Sequence, residues 1–135
     1  MSNALILTAM QKRLAAMSGG IATSGLNISY TPAAGTPYQE ISLLPAKPDN
    51  SSAGTGHHIK SGTFQVLLRY PQGAGAGPAM RQADLIEQHF RRGTLLTEGG
   101  LSVVVTETPA QGPGLNVGDR YCLPVSIRYQ ADVFT

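Results

Sequence analysis

Two segments, TFQVLLRY at 63–70 and YCLPVSIRYQAD at 121–132, decide the fold. In the first, Phe64, Val66, Leu68 and Tyr70 alternate with Thr63, Gln65, Leu67 and Arg69 before Pro71. Successive side chains of a strand leave on opposite faces, so this segment has one apolar face and one mixed face. In the second, Tyr121, Leu123, Val125, Ile127, Tyr129 and Ala131 share one face; Cys122, Pro124, Ser126, Arg128, Gln130 and Asp132 share the other. Pro124 has no N–H to give a ladder, which places it at an edge or a bulge. Leu101, Val103 and Val105 repeat the pattern with β-branched residues. Strands apolar on one face require a covering layer.

Two segments with helical periodicity supply it. Leu5, Ile6, Ala9, Met10, Leu14 and Met17 recur at 3.6-residue spacing, with Ser2 as cap and Gly19-Gly20 as stop. Ala79, Ala83, Ile86 and Phe90 form a second stripe flanked by Met80 and Leu85, with Pro78 early and Gly93 as stop. Residues 18–25 read as a turn. Leu26, Ile28 and Tyr30 read as a short strand before Pro32, and Tyr38 to Leu44 as another before Pro45. The expected architecture is therefore α+β: two main helices on an antiparallel or mixed sheet of about four to five strands. Its 135 residues form one domain, 1–135. Gly, Ser and Pro place mobile loops at 45–62, 71–78 and 109–118.

Composition narrows the function. A charged fraction of 13% is low against the ~25% of an average soluble domain. The net charge is +2, and the basic residues are scattered from Lys12 to Arg128 rather than gathered in a stripe that would neutralise phosphates. No apolar run reaches the ~18–20 residues that span a bilayer, and no basic stretch followed by an apolar core opens the chain. The protein is therefore expected to stay where it is made. Cys122 is the only cysteine, which excludes an intramolecular disulfide and a cysteine-based zinc site.

No catalytic, cofactor-binding or metal-binding set emerges. PQGAGAGP at 71–78 lies between a strand and a helix, but its glycines match neither GxGxxG nor GxxxxGK[ST]. Adjacent His57 and His58 point to opposite sides of an extended segment, and no third ligand stands at metal-site spacing. His89 has Asp84, Glu87 and Glu98 near it in sequence, a pattern that a solvated helix end also explains. Cys122 would be a nucleophile only with a base in reach and a lowered pKa; inside a strand and away from any expected helix N-terminus, it reads as an inert thiol. Asp119, Asp132 and Glu107 are dispersed around strand ends. Arg69, Arg91 and Arg92 are too separated to define a DNA-contacting face. The residues alone leave an interaction domain or a DNA-contacting module open.

Five segments in combination are more specific: ALILTAMQKRLAAM, LNISYTPAAGTPYQEISLLPAKP, SGTFQVLLRYPQGAG, ADLIEQHFRRG and GDRYCLPVSIRYQADVF. Together they resemble the small tail-terminator-like proteins of long-tailed phages and prophages, over nearly the whole chain. The resemblance implies a structural subunit, not an enzyme, with no cofactor. Such subunits form a homo-oligomeric ring, typically a hexamer, that caps the tail tube and meets the head-completion protein. A monomer in isolation is compatible with this. It implies no membrane and no specific nucleic acid as partner. The implied location is the host cytoplasm during assembly and then the virion tail. Another head–tail neck or minor tail subunit is the neighbouring alternative. The three loops become candidate contacts.

Overall fold

A computed structural model describes residues 3–17, 19–24, 35–47, 57–73 and 75–134. In chain order the elements are α1 (Asn3–Ala15), β1 (Ala22–Ser24), β2 (Tyr38–Pro45), β3 (His57–Pro71), α2 (Gly77–His89), β4 (Leu95–Glu98), β5 (Leu101–Val105), β6 (Ala110–Gln111), β7 (Leu115–Val117) and β8 (Arg120–Phe134). The fold is α+β, with two helices on one mixed, curled sheet.

The two deciding segments pair with each other. β3 and β8 form an uninterrupted antiparallel ladder from His57↔Phe134 to Pro71↔Arg120. This register sets Phe64 beside Ile127, Val66 beside Val125 and Leu68 beside Leu123, all on one face. β2 adds Ile41 beside Val66, and β5 adds Val103 beside Ala131 and Val105 beside Tyr129. Both helices cover that face, and Ile6, Met10, Leu14, Ala79, Ala83, Ile86 and Phe90 join the strand residues in one core. Phe64 is fully buried, and its ring centroid is 6.2 Å from that of Phe90. Removing such a ring costs about 3–5 kcal/mol, a large share of a typical domain's ~5–15 kcal/mol margin.

The helices also hold each other. Arg13 donates from its guanidinium to the carbonyl oxygen of His89, at 2.8 Å from one terminal nitrogen and 3.1 Å from Nε. His89 Nε2 in turn donates to the carbonyl of Arg13. Each side chain thus satisfies a carbonyl near the other helix's C-terminal end, where the backbone lacks partners and a positive charge is favoured.

The sheet has eight described strands rather than four or five. The main path is β1-β2-β3-β8-β5-β4, with β6 and β7 also on β8. The difference lies along the free edge of β8, where β5, β6 and β7 follow one another as one broken strand. Val105 faces Tyr129 and Ala110 faces Ser126, so residues 106–109 stand against 127 and 128 alone. Gln111 faces Val125 and Leu115 faces Cys122, so residues 112–114 stand against 123 and 124. These are bulges, and Pro124 sits at the second one. Its carbonyl accepts from the Gly112 N–H at 2.8 Å, so its missing N–H falls on the edge where the register slips.

Other boundaries move for local reasons. β3 starts at His57, inside the stretch read as the 45–62 loop, because β8 offers it partners as far as Phe134. Pro45 likewise closes β2, opposite Gly62; residues 48–56 lie outside the described set. Pro71 ends β3, and Gly77 and Pro78 open α2, which shortens the 71–78 connection. β6 and β7 occupy part of 109–118. β1 lies in the stretch read as a turn and runs parallel to β2, tied by Gln39 Nε2 donating to Thr23 Oγ1 at 2.9 Å. The strand expected at Leu26–Tyr30 and the cap at Ser2 fall outside the described residues. No local pattern in the sequence marks β4. Gly93, at φ 90°, donates to the Val105 carbonyl while Val105 donates to that of Thr94. This glycine-led bulge turns the chain into β4. Gly99 and Gly100, both left-handed, then close the β4–β5 hairpin.

Gly62 is required by packing. A Cβ there would lie 2.5 Å from the Leu44 carbonyl oxygen and 2.7 Å from the Tyr129 hydroxyl. Backbone cannot retreat as a flexible side chain does, so Gly62→Ala is expected to destabilise the protein by about 1–3 kcal/mol. A denaturant midpoint equal to that of the unaltered protein would show that β2 and Tyr129 do not close on this glycine.

Candidate assembly surfaces

The long ladder separates two groups of connections. At the Pro71/Arg120 end, Gln72 N–H donates to the Asp119 carbonyl at 3.1 Å, which joins the connection after β3 to the β7–β8 hairpin. Gln72, Gly73, Gly75, Ala76, Asn116 and Tyr121 line a shallow cleft of about 380 Å³ there. Gly73 and Gly75 have φ of 90° and 81°, which L side chains rarely adopt. The parts of the expected loops at 71–78 and 109–118 therefore meet. The described flanks of the 45–62 loop, Pro45 to Lys47 and His57, lie toward the opposite end.

Arg120 anchors the first end. It is only 7% exposed; its guanidinium lies 5.1 Å from the centroid of the Tyr38 ring and donates to the Thr36 carbonyl. Arg69, on the helix-free face, forms an ion pair with Glu40 and donates to Cys122 Sγ at 3.3 Å. Cys122 is buried under this contact.

Several other polar residues make structural bonds. Asp84 and Glu87 both accept from Gln111 Nε2, at 2.8 and 3.1 Å. They line an open cleft of about 760 Å³ with Gln88, Arg91 and Thr108. Glu98 pairs with Lys12 at 3.0 Å. His89 is therefore joined to Arg13 rather than to the acids near it in sequence. His58 lies in β3, as does the backbone of His57. Among the described residues no three His, Cys, Asp or Glu gather as metal ligands. Arg69 is on the helix-free face of the sheet, whereas Arg91 follows α2, so the structure does not bring the arginines together. Burial raises the pKa values of Tyr70 and Tyr129, with Arg81 partly offsetting it at Tyr70, so both phenols stay neutral near pH 7.

The model of phage tail terminator proteins matches residues 5–129. The chain belongs to that family. Seven chains of known structure match it. One is 27% identical and superposes with a TM-score of 0.80, covering 100% of this chain and 99% of the other. No curated protein matches the chain. Membership gives the chain a structural role in the phage tail and interactions with other tail or head proteins. No helix among its described residues is long and apolar enough to cross a membrane.

Sequence patterns missed the parts of these surfaces that depend on long-range contacts. Arg120 and Cys122 sit on the polar side of β8 by alternation, yet both are buried, with Tyr38 of β2 and Thr36 just before it against Arg120 and Arg69 of β3 against Cys122. Cys122 is accordingly expected to react with a thiol reagent far more slowly in the native than in the urea-unfolded protein. Arg69→Ala is expected to speed the native reaction. Equal native and unfolded rates would contradict the packing at this position.

Proposed function

We propose that this terminator caps the finished tail tube as a closed ring of identical subunits and forms the junction to a head-completion protein. Family membership over residues 5–129 carries the reading. The architecture supports it. Fifteen paired residues give β3 and β8 a length of at most ~50 Å. One end of that span carries the 72–76 connection and the β7–β8 hairpin; the 45–62 flanks lie toward the other. A subunit with its strands along the tube axis offers one set of connections to the tube and another to the head side.

A ring also needs two different, complementary patches on each subunit, since only a head-to-tail contact closes by rotation beyond a pair. The two layers of the sandwich offer different surfaces, one of strands and one of helices. Weak contacts between free subunits are compatible with this role, because a tube end raises their local concentration.

The test is to add purified protein to tail tubes that are still growing from tube protein. Ring-shaped density at one tube end in electron micrographs, with arrest of elongation, is expected. Tubes that lengthen at the same rate with bare ends would overturn the proposal.

A further inference from the structure

Six large aliphatic side chains are markedly exposed: Leu44, Met80, Leu85, Leu95, Leu115 and Val117. Strand register assigns four of them to one surface. Leu44 pairs with Thr63, Leu95 with Val104, Leu115 with Cys122 and Val117 with Arg120. Each of these pairs falls in the alternation opposite to the buried set of Phe64, Val103, Leu123 and Tyr129, so all four point away from the helices. At one end Tyr38 and Thr36 cover Arg120, and the core residues of both helices pack on the opposite face. Leu95 is 66% and Leu115 63% exposed, more than any of the others.

The face is apolar for an open sheet surface. Leu67 and Pro124 pair near its middle, Ser42, Gln65 and Ser126 add uncharged polar groups, and Glu40 is neutralised by Arg69. From strand spacing and rise, the eight strands present a footprint of roughly 900 Å². This compares with ~800 Å² per partner in a standard stable interface.

The other two exposed aliphatics, Met80 and Leu85, lie on α2, in the layer on the opposite side of the molecule. They flank the exposed side of the helix, about 140° apart around its axis, with exposed Arg81, Asp84 and Gln88 between them; Asp84, together with Glu87, is held by Gln111. The helix-free face carries the exposed Arg128 as a counterpart. We infer that the helix-free face of the sheet docks on the outer side of α2 of a second copy of this chain. This rests on the ring reading above and specifies its interface. Because the two patches lie on opposite layers, each copy keeps one patch of each kind open. The contact is heterologous and propagates until a ring closes.

Two double variants test this, Leu95→Asp/Leu115→Asp on the sheet face and Met80→Asp/Leu85→Asp on α2. Circular dichroism and thermal melting confirm that each is folded. Arg128→Glu and Asp84→Arg serve as milder versions should either fail to fold. Assembly is read by native mass in solution and by ring density on tube ends. Each variant alone is expected to assemble about tenfold more weakly or worse. An equimolar mixture is expected to give a capped dimer that grows no further, because one intact sheet face meets one intact α2.

If only the sheet-face variant loses assembly, the contact is sheet on sheet and the inference fails. If both variants join rings as the unaltered chain does, the inference fails and the ring reading stands. If the variants self-associate normally but no longer bind tubes, the face belongs to the tube protein and the inference also fails. If the unaltered chain forms no ring on tubes, the ring reading itself fails.

Discussion

The antiparallel ladder between β3 and β8 is the constraint on which the rest of the molecule depends. Every other strand is attached to it directly or through one neighbour: β2 on the outer side of β3, β5, β6 and β7 in series along β8, and β1 and β4 beyond them. The helices pack where the ladder places Phe64, Val66, Leu68, Leu123, Val125 and Ile127, all at most 1% exposed. Shifting its register by one residue would turn that whole set to solvent. Gly62 belongs to the same constraint, because it lets Tyr129 and the end of β2 close over the strand.

Alternation in residues 63–70 and 121–132 was enough to read both long strands, the face each buries and the need for a helical layer. Ala79, Ala83, Ile86 and Phe90 were equally legible, since a helix interior leaves a local period in the sequence. β1, β4, β6 and β7 were not, because each is two to four residues long. Such segments exist only by pairing with an edge already present, so no local pattern announces them. The unlikely pairing of Pro124 with an interior strand shows the same thing from the other side. The proline signalled a bulge, but only the register shows which residues bulge against it.

For a tail terminator, the surface matters more than any pocket. Several of the polar groups that the sequence offers for chemistry hold elements together. Arg13 and His89 lock the helices, Gln111 ties β6 to α2, Lys12 and Glu98 join α1 to β4, and Arg69 covers Cys122. The apolar groups left exposed lie instead on the helix-free face and on α2. A subunit organised this way has a rigid centre and unfinished outer surfaces, which suits a part completed by its neighbours.

Native-state hydrogen exchange of the isolated protein tests the central role of the ladder most directly. The amides of residues 64–68 and of 123 and 125–127 should exchange only through global unfolding, with a denaturant dependence equal to that of equilibrium unfolding. Those of β1, β4, β6 and β7 should exchange through smaller local openings. Edge strands as protected as the ladder, or a ladder that opens before them, would contradict the account.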